Sequence, residues 1–437
     1  MDDTYERILL SIDNEYQDLA VEALRWLCFS TRVLEVRELA EAAVFSTTAQ
    51  CTKETPLEVS FDVRDRMQDP LDILGILSGL AVYRLPNVQD DDGFSDDDDF
   101  SDININHDPS IAGTDKTKGK VLLSHFSVKE YLVSSRLGSK VEQFALHEDR
   151  SHEILATKCL YYTLYFQLFI DDRGKISCGN SSAFDYHLSD YAFGEWVDHA
   201  QKVDYESELT HLIISFIETR DSPGSTLPQL WNDTFQSKVL PPIYLTSLWG
   251  LYWPCKKLAE TGPHVNIQGG YYGSALQAAS SNSQESIVQL LLSNGADTNI
   301  QGGYYGSALQ AASCRYNERM IQLLLDHGAD VNIQGGHYGS ALYTASYEGN
   351  KDIVQLLLDH GADVKIDTGL HHNPLEAALV QKHVDIALML LEYGMEVKSC
   401  CGYGAKEALA KKEFRRFIDI EMEAIKSYRR RENRILR

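Results

Sequence analysis

Along the second half of the chain, apolar and polar positions recur on a fixed step of 33 residues. The string NIQGGYYGSALQAAS starts at Asn266 and again at Asn299, and a near copy, NIQGGHYGSALYTAS, starts at Asn332. Leu276, Leu309, Leu342 and Leu375 keep the step, as do Gly262, Gly295, Gly328, Gly361 and Gly394. One step back from Leu276 reaches Ile243, so a degenerate first repeat begins near Pro241. Each unit reads as two short helices and a turn. Ser274 to Ala279 opens a helix of small residues that packs closely, and Ser286 to Leu292 forms a more apolar one. Gly295 stands where a helix end needs φ > 0, and the Gly-Gly that follows suits a tight turn. One such unit cannot bury its apolar face alone, whereas stacked neighbours can.

The first half has no period. Residues 5–45 read as two helices: Gln17 to Phe29, with Leu19, Ala20, Ala23, Leu24 and Leu27 on one face, and Val36 to Val44. Pro70 to Leu80 is an apolar helix, and Ala81 to Leu85 alternates like a strand. Val121 to His125 is a returning strand and Ser127 to Ser135 a closing helix. Three helices and a two-stranded wing make a winged-helix plan. Between the strands, at about 87–119, Asp90 to Asp92 and Asp96 to Asp99 predict a disordered, solvated loop.

The repeats closely resemble the ankyrin family. Its G-A-D-V-N ending stands as Gly328-Ala329-Asp330-Val331-Asn332. Its T-P-L-H-x-A-A opening stands in altered form as Ser307-Ala308-Leu309-Gln310-Ala311-Ala312 and as Asn373-Pro374-Leu375-Glu376-Ala377-Ala378. The histidine of that opening is missing, which puts the rigidity of the stack in doubt. Gly302-Gly303-Tyr304-Tyr305 replaces the family's turn. The resemblance implies a binding surface on the hairpin tips and inner helices, the concave face of the solenoid.

The first half resembles the winged-helix segment of fungal NACHT-type receptors, on Arg7 to Ile12, Leu24 to Ser30, Val36 to Ala42 and Ser124 to Leu132. Asp185-Tyr186 through Trp196 to Ala200 is similar to the helical linker before their ankyrin repeats. Those receptors are signal-transducing NTPases. The G-x-x-x-x-G-K-[ST] loop that would cradle a nucleotide is missing here, so no ATP hydrolysis is expected. The chain starts where the NTPase domain of that family would end. Either it stands alone or it is the sensor end of a longer product.

The expected fold is therefore mainly α. A winged-helix-like module covers 5–140 and a helical linker region covers 150–240. About five ankyrin repeats cover 241–400, and a capping helix with a basic tail covers 401–437. With 40 Lys+Arg against 64 Asp+Glu, the net charge of -24 disfavours nucleic acid and anionic membranes. The helix at Val36 is acidic on its own, with Glu35, Glu38 and Glu41 against Arg37. The eight cysteines form no zinc spacing and suit a reduced, cytoplasmic protein. Arg429, Arg430 and Arg431, in the one basic region, offer a nuclear signal as the alternative.

No catalytic, metal or cofactor site emerges. His147 and His152 are five apart, so they do not share a helix face as a zinc pair would, and they read as a solvated linker. His371-His372 falls on a hairpin tip, and Cys400-Cys401 adjoins a turn. Gly269 to Gly273 is Gly-rich without the unit that would make it a dinucleotide site. The expected function is a non-enzymatic scaffold or sensor for a protein partner. The candidate contacts are Tyr271, Tyr272, Tyr304, Tyr305, His337 and Tyr338. Either the rings anchor a partner or they pack on neighbouring tips. In the first case, alanine at Tyr272, Tyr305 and Tyr338 cuts binding and leaves stability nearly unchanged; in the second it does the reverse.

Overall fold

The computed structural model describes residues 2–45, 67–85, 115–165, 168–170, 176–178, 187–218, 240–261, 263–366 and 373–395. The chain divides into two compact units, 1–231 and 232–437.

In the first unit, helix α1 spans Asp2–Leu10, α2 Gln17–Phe29 and α3 Val36–Val44, with the short strand β1 (Leu34–Glu35) ahead of α3. The sequence pattern predicted α2 and α3 but not α1, which buries Tyr5 and Leu9. Helix α3 starts sharply because Glu35 and Glu38 form a reciprocal capping box, in which the Glu35 N–H donates to Glu38 Oε2 at 2.8 Å. Arg32 clamps the Glu38 carboxylate at 2.7 Å. Helix α4 spans only Asp72–Ile76, shorter than the apolar run suggests. After it, Gly79 turns with φ +82° toward strand β2 (Ala81–Arg84).

Strand β3 (Lys120–Leu123) lies between β1 and β2, antiparallel to both, in the order β1-β3-β2. The sheet thus has three strands where the sequence pattern shows two, because a two-residue strand is too short to show alternation. Within the expected acidic insertion, Lys116–Lys118 forms a 3-10 turn. It is led by Asp115, whose carboxylate accepts the Thr117 N–H at 3.1 Å. The acidic runs of that insertion lie outside the described residues. Helix α5 (Phe126–Val133) follows, and the Tyr5 and Ser127 hydroxyls, 2.7 Å apart, tie it to α1.

Helix α6 (Glu148–Tyr165) packs beside α7 (Ser189–Gln201) and α8 (Glu208–Glu218). Between α6 and α7, strands β4 (Leu168–Ile170) and β5 (Ile176–Cys178) pair antiparallel, so this region is not purely helical. Lys158 of α6 reaches Glu22 of α2 at 2.5 Å, and Tyr162 donates to the buried Glu41 of α3. Removing one partner of such a buried pair leaves an uncompensated charge, so these contacts fix which faces of α2, α3 and α6 meet.

The second unit holds five helix pairs among the described residues. They are α9 (Pro242–Leu248) with α10 (Tyr252–Glu260), α11 (Ala275–Ser281) with α12 (Glu285–Ser293), and α13 (Ala308–Ser313) with α14 (Glu318–Asp326). Then come α15 (Ala341–Glu348) with α16 (Lys351–Asp359), and α17 (Pro374–Gln381) with α18 (Val384–Glu392). Leu276, Leu309, Leu342 and Leu375 all lie in one core that runs through the stack, each at most 2% exposed. Ser274, Ser307, Ser340 and Asn373 cap the inner helices by accepting from the backbone N–H three residues on.

Between repeats, one asparagine per step bridges two loops. Asn299 donates to the Gly328 carbonyl at 3.0 Å and accepts the Asp330 N–H at 2.8 Å. Asn266 and Asn332 make the same pair of bonds one repeat before and one repeat after.

Candidate partner-binding surface

Each tip is a tight hairpin between two repeats. Strands β6 (Gln268–Gly269) and β7 (Gly273–Ser274) form the first, and bridges Gly302–Gly306 and Gly335–Gly339 form the next two. The tips are bonded to one another through the main chain. The Tyr304 N–H donates to the Tyr271 carbonyl at 2.8 Å, and the His337 N–H donates to the Tyr304 carbonyl at 2.7 Å.

A second set of bonds ties each inner helix to the following tip. Gln277 Nε2 donates to the Gly302 carbonyl at 2.9 Å, and Gln310 Nε2 donates to the Gly335 carbonyl at 3.0 Å. Both glutamines stand at the position of the missing histidine of the T-P-L-H opening. Their amides bridge adjacent repeats, so the doubt about rigidity that its loss raised does not hold at these two steps. One repeat earlier the position is Tyr244, fully buried, whose hydroxyl accepts the Tyr272 N–H at 3.3 Å. Tyr244 follows Ile243 by one residue, so the 33-residue step contained the signal for it.

These constraints align the six candidate rings into two rows. Tyr271, Tyr304 and His337 stack at centroid distances of 4.8 Å, with ring planes within 19° of parallel. Tyr272, Tyr305 and Tyr338 stack at 5.9 and 6.0 Å, within 12°. The two rows meet edge to face within each tip, at 5.1 Å in all three. Tyr338 extends the inner row toward Tyr347, 5.6 Å away on the inner helix α15. His337 is exposed and the five tyrosines are half-buried. Burial pushes the Tyr271 hydroxyl up to about 12 and raises those of Tyr305 and Tyr338, so the phenols stay protonated donors at neutral pH.

The rings therefore pack on one another, and the inner row is structural whatever else it does. Aromatic pairs contribute about 0.5–1.5 kcal/mol each beyond their buried area. Tyr305 has a stacked neighbour on both sides and Tyr271 on one. Tyr305→Ala is expected to lower the stability of the repeat unit by about 2–4 kcal/mol, and Tyr271→Ala by about 1 kcal/mol, in urea unfolding. The triple alanine change in the inner row consequently costs stability, against the expectation for free anchors.

The reading of His147 to His152 as a solvated linker fails for His152, although His147 to Arg150 are exposed. His152 lies inside α6, only 2% exposed. Its Nδ1 is 2.8 Å from Nδ1 of His199 on α7, and His199 Nε2 is 2.9 Å from the Tyr191 hydroxyl. That hydroxyl accepts the Thr31 N–H at 3.0 Å and also lies 3.2 Å from the Thr31 hydroxyl. A His199 proton on Nδ1, donated to His152, is the tautomer in which the Tyr191 hydroxyl donates to His199 Nε2. Burial, with Lys202 and Lys129 adding repulsion, lowers His152 to about 4. Burial, then His152 and Lys202, lowers His199 to about 3.

Cys28, Cys159, Cys255 and Cys314 are free thiols, and burial pushes Cys28 and Cys314 up to about 12. Among the described residues no group of three or more His, Cys, Asp or Glu is arranged to hold a metal ion, and no helix is long and apolar enough to cross a membrane. His371-His372, Cys400-Cys401 and Arg429, Arg430 and Arg431 lie outside the described residues, as does the expected cap and tail over 401–437.

Residues 249–335 and 308–399 match the family model for ankyrin repeats (3 copies). Azaphilone pigments biosynthesis cluster protein L of Monascus ruber is 31% identical over 325 residues, covering 68% of this chain and 59% of that protein. The chain thus spans less than two thirds of that relative's length. The aligned stretch is longer than the second unit, so the likeness extends into the first. The crystal structure of the human ASB11 ankyrin repeat domain is 25% identical, with 36% of this chain and 71% of that chain covered and a TM-score of 0.33. That score is too low to bear on how the repeats are arranged. The sequence step, the helix pairs and the family match agree that the second unit carries ankyrin repeats.

Proposed function

We propose that this protein is a non-enzymatic, regulatory scaffold or sensor that holds a protein partner on the tips and inner helices of its ankyrin repeats. The observation that carries the reading is the aromatic comb. Three consecutive tips present six rings in register, and no Asp, Glu, Lys or Arg lies in 267–274, 300–307 or 333–340. Half-exposed tyrosines held by their neighbours lose little side-chain freedom on binding, which favours them as interface anchors. The Monascus ruber relative is named for a pigment biosynthesis cluster and not for a catalysed step, in keeping with a protein that works beside enzymes.

The test substitutes Tyr271→Ser, Tyr304→Ser and His337→Ser together and compares affinity capture with the unaltered protein. Loss of a specific partner, with the helical circular-dichroism signal retained, is the expected result. Equal recovery by both proteins contradicts the reading.

A second reading takes the chain as the regulatory and sensor end of a longer signal-transducing NTPase of the NACHT type. The order of α2, β1, α3, α4, β2 and β3, with β3 central in the sheet, supports a winged-helix module in the first unit. Immunoblotting of the endogenous protein against the ankyrin region separates the readings. A band near 49.2 kDa supports the stand-alone scaffold, and a much larger one with upstream peptides supports the NTPase. A cytoplasmic location is part of the first reading.

A further inference from the structure

We infer that a groove in the first unit docks a basic amphipathic segment of a partner protein. The groove has a volume of about 1150 Å³ and runs between α2, α6 and the start of α8. Small-molecule pockets measure roughly 300–1,000 Å³, so this one is at or beyond the upper end of that range and has room for a short length of polypeptide. Leu19, Val21, Val44 and Ile154 line it and are each only partly covered, which gives an apolar floor.

Its charges are one-sided. The two cations in its wall are already paired, Lys158 with Glu22 at 2.5 Å and Arg150 with Glu153 at 2.5 Å. Tyr205 holds the same Glu153 carboxylate at 2.6 Å. Glu15, Asp18 and Glu208 are exposed at the rim, and none has an ion pair among the described residues. Ser207 also lines the groove, and its hydroxyl is shielded from solvent without a hydrogen-bond partner among the described residues. An anionic ligand meets like charge at the rim. A segment with lysine or arginine on one face and apolar residues on the other satisfies rim and floor together, the pattern by which amphipathic helices occupy grooves.

The test measures binding of a labelled amphipathic helical peptide of leucine and lysine to the full chain, beside a leucine and glutamate counterpart. Asp18→Lys with Glu208→Lys is expected to weaken the lysine peptide roughly tenfold or more. Both side chains are exposed and unpaired, so the thermal melt is expected to stay unchanged. Asp96→Asn through Asp99→Asn, which neutralises an acidic run that is not among the residues lining the groove, is expected to leave the affinity within about twofold if the groove is the site. The inference is overturned if the glutamate peptide binds equally well. It is also overturned if the groove variant keeps full affinity, or if the acidic-run variant is the one that loses it.

Discussion

Gly303→Ala unfolds the repeat unit or lowers its stability by more than about 3 kcal/mol, whereas Gly328→Ala costs about 1 kcal/mol. Both glycines have positive φ, +65° and +82°, so backbone preference alone makes them alike. Their surroundings separate them. A Cβ on Gly303 lies 2.1 Å from the carbonyl carbon and oxygen of Tyr272 in the preceding tip, main-chain atoms that no rotamer change removes. A Cβ on Gly328 meets nothing within 4 Å. Gly336 repeats the close approach against Tyr305 at 2.2 Å, so the constraint belongs to the stacking of tips and not to one site. Relieving the clash means parting two tips, which breaks the Tyr304 bond to the Tyr271 carbonyl and separates the stacked rings. Urea unfolding followed by circular dichroism measures both variants. Equal losses for the two contradict the tip-to-tip packing.

The first unit loses about 2–3 kcal/mol of stability for each of His152 and His199 that must be protonated as the pH falls from neutrality toward about 4. Both folded-state values, about 4 and about 3, lie below the ordinary 6.5. The unfolded chain therefore binds more protons than the folded one between 6.5 and 4, and stability rises with pH across that window. The stabilisation is complete above 6.5 and fades as the pH falls through the folded values. The physical cause is burial, which penalises the charged form of both rings, with Lys202 and Lys129 repelling a charge on His152, and His152 and Lys202 repelling one on His199. His152→Gln offers an amide oxygen to the His199 N–H and removes one titrating group, so it is expected to flatten the dependence. Urea midpoints at several pH values decide the point. An unchanged slope in the variant contradicts the assignment.

The repeats were legible because every element of their order is local or periodic. Leu276, Leu309, Leu342 and Leu375 are buried for a reason that recurs every 33 residues, and the turn glycines mark each boundary. The bridging role of Gln277 and Gln310 was visible only as a departure from the family pattern, since a side-chain amide and an imidazole both donate to a carbonyl. The tip rings were found by their spacing. Spacing does not say whether a ring has its copy in the next repeat as a neighbour, and the 4.8 Å stacking of Tyr271 on Tyr304 shows that it does.

The first unit was harder. Its sheet depends on Leu34 pairing with Val121, which no local pattern signals. His152 and His199 are 47 residues apart on two helices, so no motif joins them. Glu38 and Glu41 read as an acidic helix surface, but Arg32, the capping box and Tyr162 bury them at 5% and 4% exposure.

Hydrogen–deuterium exchange on the complex with a captured partner addresses the comb most directly. The expected result is slowed exchange over 268–274, 301–307 and 334–340, with little change on α12, α14 and α16. Protection confined to those outer helices, with the tips exchanging as in the free protein, contradicts the account.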